Sequence, residues 1–115
     1  MRTLILAGLI LSALAAHGQS ASSMQEEPAV THRYIVERTF RPGALDHLDA
    51  AAKAKVNANN EKHGVRWLMS YANAARTKTY CIYEGPSEQA IRDAASANGL
   101  PVDAVTEVPV TLLPQ

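Results

Sequence analysis

The stretch from Val65 to Gly85 constrains the fold of this chain more than any other part of it. It holds the chain's single Trp, its single Cys and three of its four Tyr. Two runs rich in β-branched and aromatic residues, Arg66–Tyr71 and Thr77–Glu84, are separated by the small, turn-compatible segment Ala72–Arg76. This pattern predicts a β-hairpin, which the rest of the chain must extend and cover.

The segment before the hairpin predicts one strand and one helix. His32–Phe40 favours a strand, and Pro42-Gly43 ends it. Ala44–His63 is Ala-rich and predicts a helix that stops at Gly64. One face of that helix carries a narrow stripe at helical spacing, formed by Leu45, Leu48, Ala52, Val56 and His63.

The segment after the hairpin predicts a second helix and a last strand. Ser87 is a suitable N-cap, and Asn98-Gly99-Leu100-Pro101 is a strong stop signal. Val105–Leu112 predicts a strand, in which Pro109 requires an edge position or a bulge. The order β-α-β-β-α-β predicts an α+β, ferredoxin-like fold, in which two helices cover one face of a four-stranded antiparallel sheet.

The hairpin carries large apolar side chains in both of its alternating sets. A two-residue turn flanked by Asn73 and Arg76 places one set on one face of the sheet, namely Trp67, Met69, Tyr71, Tyr80 and Ile82. Leu68, Cys81 and Tyr83 then lie on the other face. A sheet with one solvated face alternates more cleanly. We therefore predict that a second copy covers the face without helices, giving a homodimer of the dimeric α+β-barrel type.

The first residues have the pattern of a signal for export. Met1-Arg2 is a short basic region and Thr3–Ala16 is apolar, with small residues at 16 and 18 for cleavage. We predict a signal peptide over 1–18, a flexible polar leader over 19–31 and one domain over 32–115, in a periplasmic or secreted protein. An uncleaved membrane anchor is the weaker alternative, since a spanning helix needs about 20 apolar residues.

Charge excludes one broad class of partner. Arg2, in the predicted signal, is one of 11 basic residues, so 10 remain against 11 acidic residues. A neutral domain without a basic stripe does not favour nucleic acid, and no basic cluster favours a membrane surface.

Four residues are candidate metal ligands, and each has an ordinary structural alternative. Cys81 is the only thiol and lies mid-strand, where it is either a small buried hydrophobe or a ligand or redox group. His63 is either a cation at a helix C-terminus or an imidazole ligand. Glu37 lies beside Arg38 inside the first strand and is either part of an intersubunit ion pair or a carboxylate ligand or base. Tyr80 is by itself a core or interface aromatic with a polar hydroxyl, and it is a candidate ligand only through the family resemblance described next.

Several blocks of the chain resemble a family of small proteins once catalogued as a domain of unknown function, with a nickel-binding member. The blocks lie between residues 33 and 108 and comprise Tyr34–Arg38, Trp67, Ser70-Tyr71, Lys78–Glu84, Pro86, Glu88, Ala90–Arg92, Gly99–Pro101 and Val105–Val108. Lys78–Glu84, reading KTYCIYE, followed by a P-x-E-x-A-I-R helix, is the most specific part.

The resemblance implies a ferredoxin-like, dimeric protein that binds nickel or another divalent transition metal and is not a known enzyme. By motif, Glu37, Tyr80 and Cys81 are the matching positions with ligand chemistry. His63 is not part of the motif and is added because it lies at the end of the predicted first helix. Two departures from the family pattern affect this expectation. The hairpin connection before Lys78 is longer, and Ala94 stands where many relatives carry a His.

Two other functions remain open at this level. A small-molecule enzyme of the dimeric α+β-barrel type would hold its ligand between sheet and helices, near Trp67, Tyr80, His63 and Glu37. A non-catalytic interaction module would use the same residues for packing alone.

Overall fold

The computed structural model describes residues 30–115 and contains the six predicted elements in the predicted order. The predicted signal over 1–18 and nearly all of the leader lie outside the described residues. The elements are β1 (His32–Thr39), α1 (Ala50–Glu61), β2 (Arg66–Ala72), β3 (Lys78–Gly85), α2 (Glu88–Ala97) and β4 (Ala104–Glu107). The described residues contain no helix with the length and apolar character needed to cross a membrane.

The four strands form one sheet in the order β2-β3-β1-β4, with every neighbouring pair antiparallel. This confirms the ferredoxin-like α+β fold with two helices. Alternate residues of β1 and β3 are buried, namely Tyr34, Val36, Arg38, Thr79, Cys81 and Tyr83. We call the side that carries them the helix face, because both helices lie on that side, and the opposite side the open face.

Helix α1 begins six residues later than the sequence predicts. The side chain of Asp49 accepts a hydrogen bond from the Ala52 amide at 2.8 Å and so forms the N-cap. Residues 42–47 instead form successive turns, which start where Gly43 takes a positive φ of 84°. The predicted helical stripe was therefore wrong at Leu45 and Leu48, because the Asp49 cap ends the turns and starts the helix after them.

Strand β4 is shorter than predicted, because it ends at Glu107 rather than Leu112. The Val108 amide donates one more hydrogen bond to the Arg33 carbonyl, at 2.8 Å. Pro109 has no amide proton to continue the ladder, so pairing stops there.

A register shift in β2 changes the predicted faces of the hairpin. Trp67 pairs with Tyr83, but Met69 already pairs with Ile82, so Leu68 is an extra residue. Trp67 consequently lies on the helix face with Tyr83, and its predicted place beside Met69 was wrong. Met69 and Tyr71 do share the open face with Tyr80 and Ile82, as predicted.

The core lies between the helix face and α2. It is formed by Tyr34, Val36, Val65, Cys81, Tyr83, Ile91 and Ala94. Ser87 caps α2 as predicted, by accepting a hydrogen bond from the Ala90 amide at 3.1 Å. Asn98, at the end of α2, donates to the side chain of buried Asn60 at 3.0 Å, which fixes the two helices to each other.

Candidate functional site

Two of the predicted ligands, Glu37 and Tyr80, are cross-strand partners on the open face. A cation of the chain itself lies beside both of them. The ammonium of Lys78 is 3.8 Å from a Glu37 carboxylate oxygen and 5.8 Å from the centre of the Tyr80 ring. A metal ion at this pair must therefore displace or tolerate Lys78, which makes the pair a poor fit for a divalent cation.

Lys78 also holds Asp103, in the loop before β4, at 3.0 Å. Asp103 accepts a second hydrogen bond from the hydroxyl of Thr39. The Thr39 hydrogen bond, followed by that of Lys78, holds the pKa of Asp103 below its ordinary value. The same contact with Asp103 raises the pKa of Lys78. These bonds fasten the end of β1 to the start of β4.

We expect Thr39→Val to raise the pKa of Asp103 toward the ordinary value of an aspartate. The reason is that the hydroxyl with the largest lowering effect is removed while Lys78 remains. A lowered carboxyl pKa stabilises the fold fully above the ordinary pKa, and this contribution is lost as the pH falls through the lowered value. The variant should thus lose part of its stability in acid at a higher pH than the parent. NMR titration of the Asp103 carboxyl carbon measures the shift, and Thr106→Val, an exposed change on β4, should leave it unmoved.

Cys81 lies on the opposite side of the sheet from Glu37 and Tyr80. Its thiol is buried in the core, and its sulfur lies 3.5 Å from the hydroxyl of Thr79. This is the environment of a small buried side chain, the structural alternative named above.

His63 follows the end of α1 and is only partly exposed. Its amide donates to the Asn60 carbonyl at 2.9 Å, which closes the last turn of the helix. The structure therefore does not bring the four predicted ligands together in one chain. Among residues 30–115, no group of three or more His, Cys, Asp or Glu side chains is arranged to hold a metal ion. The ligand roles of Glu37, His63, Tyr80 and Cys81 stay a prediction.

His32, which the sequence analysis gives only as the first residue of a predicted strand, has a contact typical of metal-binding histidines. Its Nδ1 lies 2.9 Å from a carboxylate oxygen of Glu107, on the neighbouring edge strand β4. An ionised carboxylate can only accept, so Nδ1 donates and Nε2 of the neutral ring keeps a free lone pair. Both side chains are partly exposed. The separation of 75 residues between them hides this pair from any local motif.

A cavity of about 590 Å³ lies between the helix face and α1. Trp67, Arg38 and Cys81 line it, together with Leu45 and Leu48 from the turns before α1. This is where the enzyme alternative places a ligand. Of the four residues predicted to surround that ligand, only Trp67 is in contact with this cavity.

The fold and the contact between His32 and Glu107 define a small ferredoxin-like α+β protein with a histidine that a carboxylate orients at one end of its sheet. A family model described as nickel responsive protein SCO4226-like matches residues 34–108. The chain therefore belongs to the SCO4226-like nickel-responsive protein family, as its sequence blocks predicted.

The structure is similar to the crystal structure of SCO4226 from Streptomyces coelicolor A3(2), with a TM-score of 0.60. The two chains share 23% sequence identity, and the similarity covers 70% of this chain and 99% of the other. At this identity the likeness supports the fold alone. Among curated proteins, none matches the chain.

Proposed function

We propose that this protein binds nickel or a similar divalent transition metal, with His32 as the anchoring ligand. Family membership supports the metal, and the contact between His32 and Glu107 supports the place. Histidines that bind metals commonly donate their second ring N–H to a carboxylate, which orients the ring and makes the free nitrogen more basic. Imidazole nitrogen is also a donor that suits nickel.

One chain provides this anchor without a closed set of ligands, so the expected affinity is modest. Calorimetric titration of the metal-free protein with Ni²⁺ tests the proposal. We expect saturable binding that His32→Ala abolishes and that Glu107→Gln weakens about 10- to 100-fold, the usual effect of losing such a carboxylate. His47→Ala is the matched control, because His47 lies in the turns before α1.

The same titration tests the ligands predicted from the sequence. Glu37→Gln, Tyr80→Phe, Cys81→Ser and His63→Ala should each bind Ni²⁺ as the parent does if His32 is the anchor. If His32→Ala binds Ni²⁺ with full affinity and one of these four variants binds it more weakly, the residue changed in that variant is a ligand and His32 is not. Binding no tighter than about 1 mM in the parent, near −4 kcal/mol, would contradict metal binding altogether.

We also propose that two copies associate through their open faces. Met69, Tyr71 and Tyr80 on this face are 48%, 62% and 44% exposed, and both helices lie on the other side. Lys78 lies 3.8 Å from Glu37 and 3.0 Å from Asp103, so a carboxylate buried there keeps a cationic neighbour. An exposed aromatic and aliphatic group of this kind is typical of an interface between proteins.

The export of the protein, predicted from residues 1–18, is a separate proposal that N-terminal sequencing of secreted protein tests.

A further inference from the structure

The cavity on the helix face is a second site, on the other side of the sheet from Glu37, Lys78 and Tyr80. Its volume of about 590 Å³ falls within the usual range for small-molecule sites, about 300–1,000 Å³. The turns before α1 form one wall and β2 and β3 the other. Most of the lining is apolar and comes from Phe40, Leu45, Leu48, Val56, Trp67 and Leu100.

Arg38 contributes a buried positive charge to this cavity. The side chain lines the cavity, yet the residue is only 2% exposed. It donates to the Pro101 carbonyl at 2.6 Å and to the Tyr83 hydroxyl at 3.2 Å, and its Nε–H has no partner. Burying a guanidinium is costly unless the charge is paired and every N–H is bonded.

No carboxylate on the described residues forms a close ion pair with Arg38. Between residues 30 and 115, no Asp or Glu oxygen lies within 4.0 Å of its guanidinium nitrogens. Asp103, whose carboxylate feels this charge, is bonded to Thr39 and Lys78 instead. Tyr83 stays protonated near neutral pH, because burial raises its pKa more than Arg38 lowers it. The buried charge is thus left available to an anion.

Two further cations, Lys53 and Arg76, line the same cavity, whereas none of the described residues that line it is acidic. Arg76 has a positive φ of 57°, the left-handed conformation that costs a residue with a side chain more than it costs glycine. Its amide is fixed by a hydrogen bond to the Asn73 carbonyl at 3.0 Å. Such an uncommon backbone conformation often occurs at a functional position.

We propose that the cavity binds a small organic anion with an apolar body, such as a medium-chain or aromatic carboxylate. The apolar walls take the body of the ligand, and Arg38, Lys53 and Arg76 attract its carboxylate. Arg38 presents a planar guanidinium, which suits the two oxygens of a carboxylate. This site needs no metal and does not depend on the proposed role of His32.

Three probes of equal chain length test the chemistry on the full chain in the presence of a chelator. Octanoate is the anion, 1-octanol the neutral form and octylammonium the cation. Calorimetry and the emission of Trp67, which lines the cavity, both report binding. Octanoate should bind about 10- to 100-fold more tightly than 1-octanol, since hydrogen bonds to charged groups contribute about 1.5–3 kcal/mol. Octylammonium should bind most weakly.

Two substitutions assign that preference to the cavity. Arg38→Met should remove most of the advantage of octanoate over 1-octanol and leave the binding of 1-octanol unchanged. Arg76→Gly fits the left-handed backbone without strain, so it should fold at least as well as the parent and still lose affinity for octanoate. Arg92→Met on α2 is the control, because Arg92 is already paired with Glu88 at 2.8 Å.

The proposal is overturned if none of the three probes binds, or if octanoate and 1-octanol bind equally well. It is also overturned if Arg76→Gly and Arg92→Met affect octanoate binding to the same extent. Should Arg38→Met fail to fold, Arg76→Gly alone decides between these results. Loss of nickel binding in His32→Ala leaves all of these outcomes unchanged, so the two proposals fail independently.

Discussion

Replacing Tyr71 with Lys is expected to prevent, at micromolar concentration, the proposed association of two copies through their open faces. Tyr71 is the most exposed of the large apolar side chains on the open face, at 62%. Symmetry places the change on both copies, so two ammonium groups would enter one interface in addition to the existing Lys78 pair. We expect the dissociation constant of the two copies to rise about 100-fold, which corresponds to about 2.7 kcal/mol.

Sedimentation equilibrium of parent and variant over a range of concentrations measures this change. Tyr71→Phe should dimerise like the parent, because it keeps the apolar area. Ser96→Lys, which adds the same charge to the exposed surface of α2, should also dimerise normally. A parent protein that sediments as one chain at every concentration would refute association through the open face. If Ser96→Lys weakens association as much as Tyr71→Lys does, the cause is the added net charge and not the position of Tyr71.

Ile91→Ala is expected to lower the free energy of unfolding by about 2–5 kcal/mol, the usual range for this truncation in a core. Ile91 is 1% exposed and packs at the centre of the contact between α2 and the sheet. A Cβ atom added at Gly85 would lie 3.1 Å from Cδ1 of Ile91 and 3.2 Å from Cγ2 of Val65. The core is therefore closely packed around Ile91. We expect truncation of Ile91 to leave a cavity that its neighbours fill only in part.

Urea unfolding at one fixed protein concentration measures the loss, since the proposed dimerisation would make stability depend on concentration. Val110→Ala is the control and should change stability by less than about 0.5 kcal/mol, because Val110 is 71% exposed. A loss below about 1 kcal/mol for Ile91→Ala would mean that neighbouring side chains collapse into the space that Ile91 leaves.

Much of the fold was predictable because its signals are local. Gly64 and Gly99 both adopt the left-handed conformation expected of residues that end a helix, with φ of 70° and 66°. Ser87 caps α2 through the hydrogen bond that its position predicts. Residue types in β1 and β3 likewise predicted both strands, and alternation in β3 placed Tyr83 and Cys81 on one common face, as observed.

The parts that sequence analysis missed depend on long-range contacts, or on a choice between two local structures that the sequence allows equally. The segment before Asp49 and the Ala-rich run after it are both compatible with helix, and only the formed cap shows where the helix starts. The extra residue Leu68 has no distinguishing type, although it moves Trp67 across the sheet. Ligand chemistry was harder still. The position of Lys78 against Tyr80 and Glu37 depends on the pairing of β1 with β3, which no local pattern shows.

The extra residue in β2 has a practical consequence for spectroscopy. It separates the only indole of the chain from the aromatic residues of the open face, so the indole emission reports on one side of the sheet. Filling of the cavity should change that emission, whereas pairing of two copies should leave it nearly constant. Tyrosine signals from positions 71 and 80 should behave in the opposite way. One unlabelled sample can thus distinguish ligand uptake from self-association without any added dye.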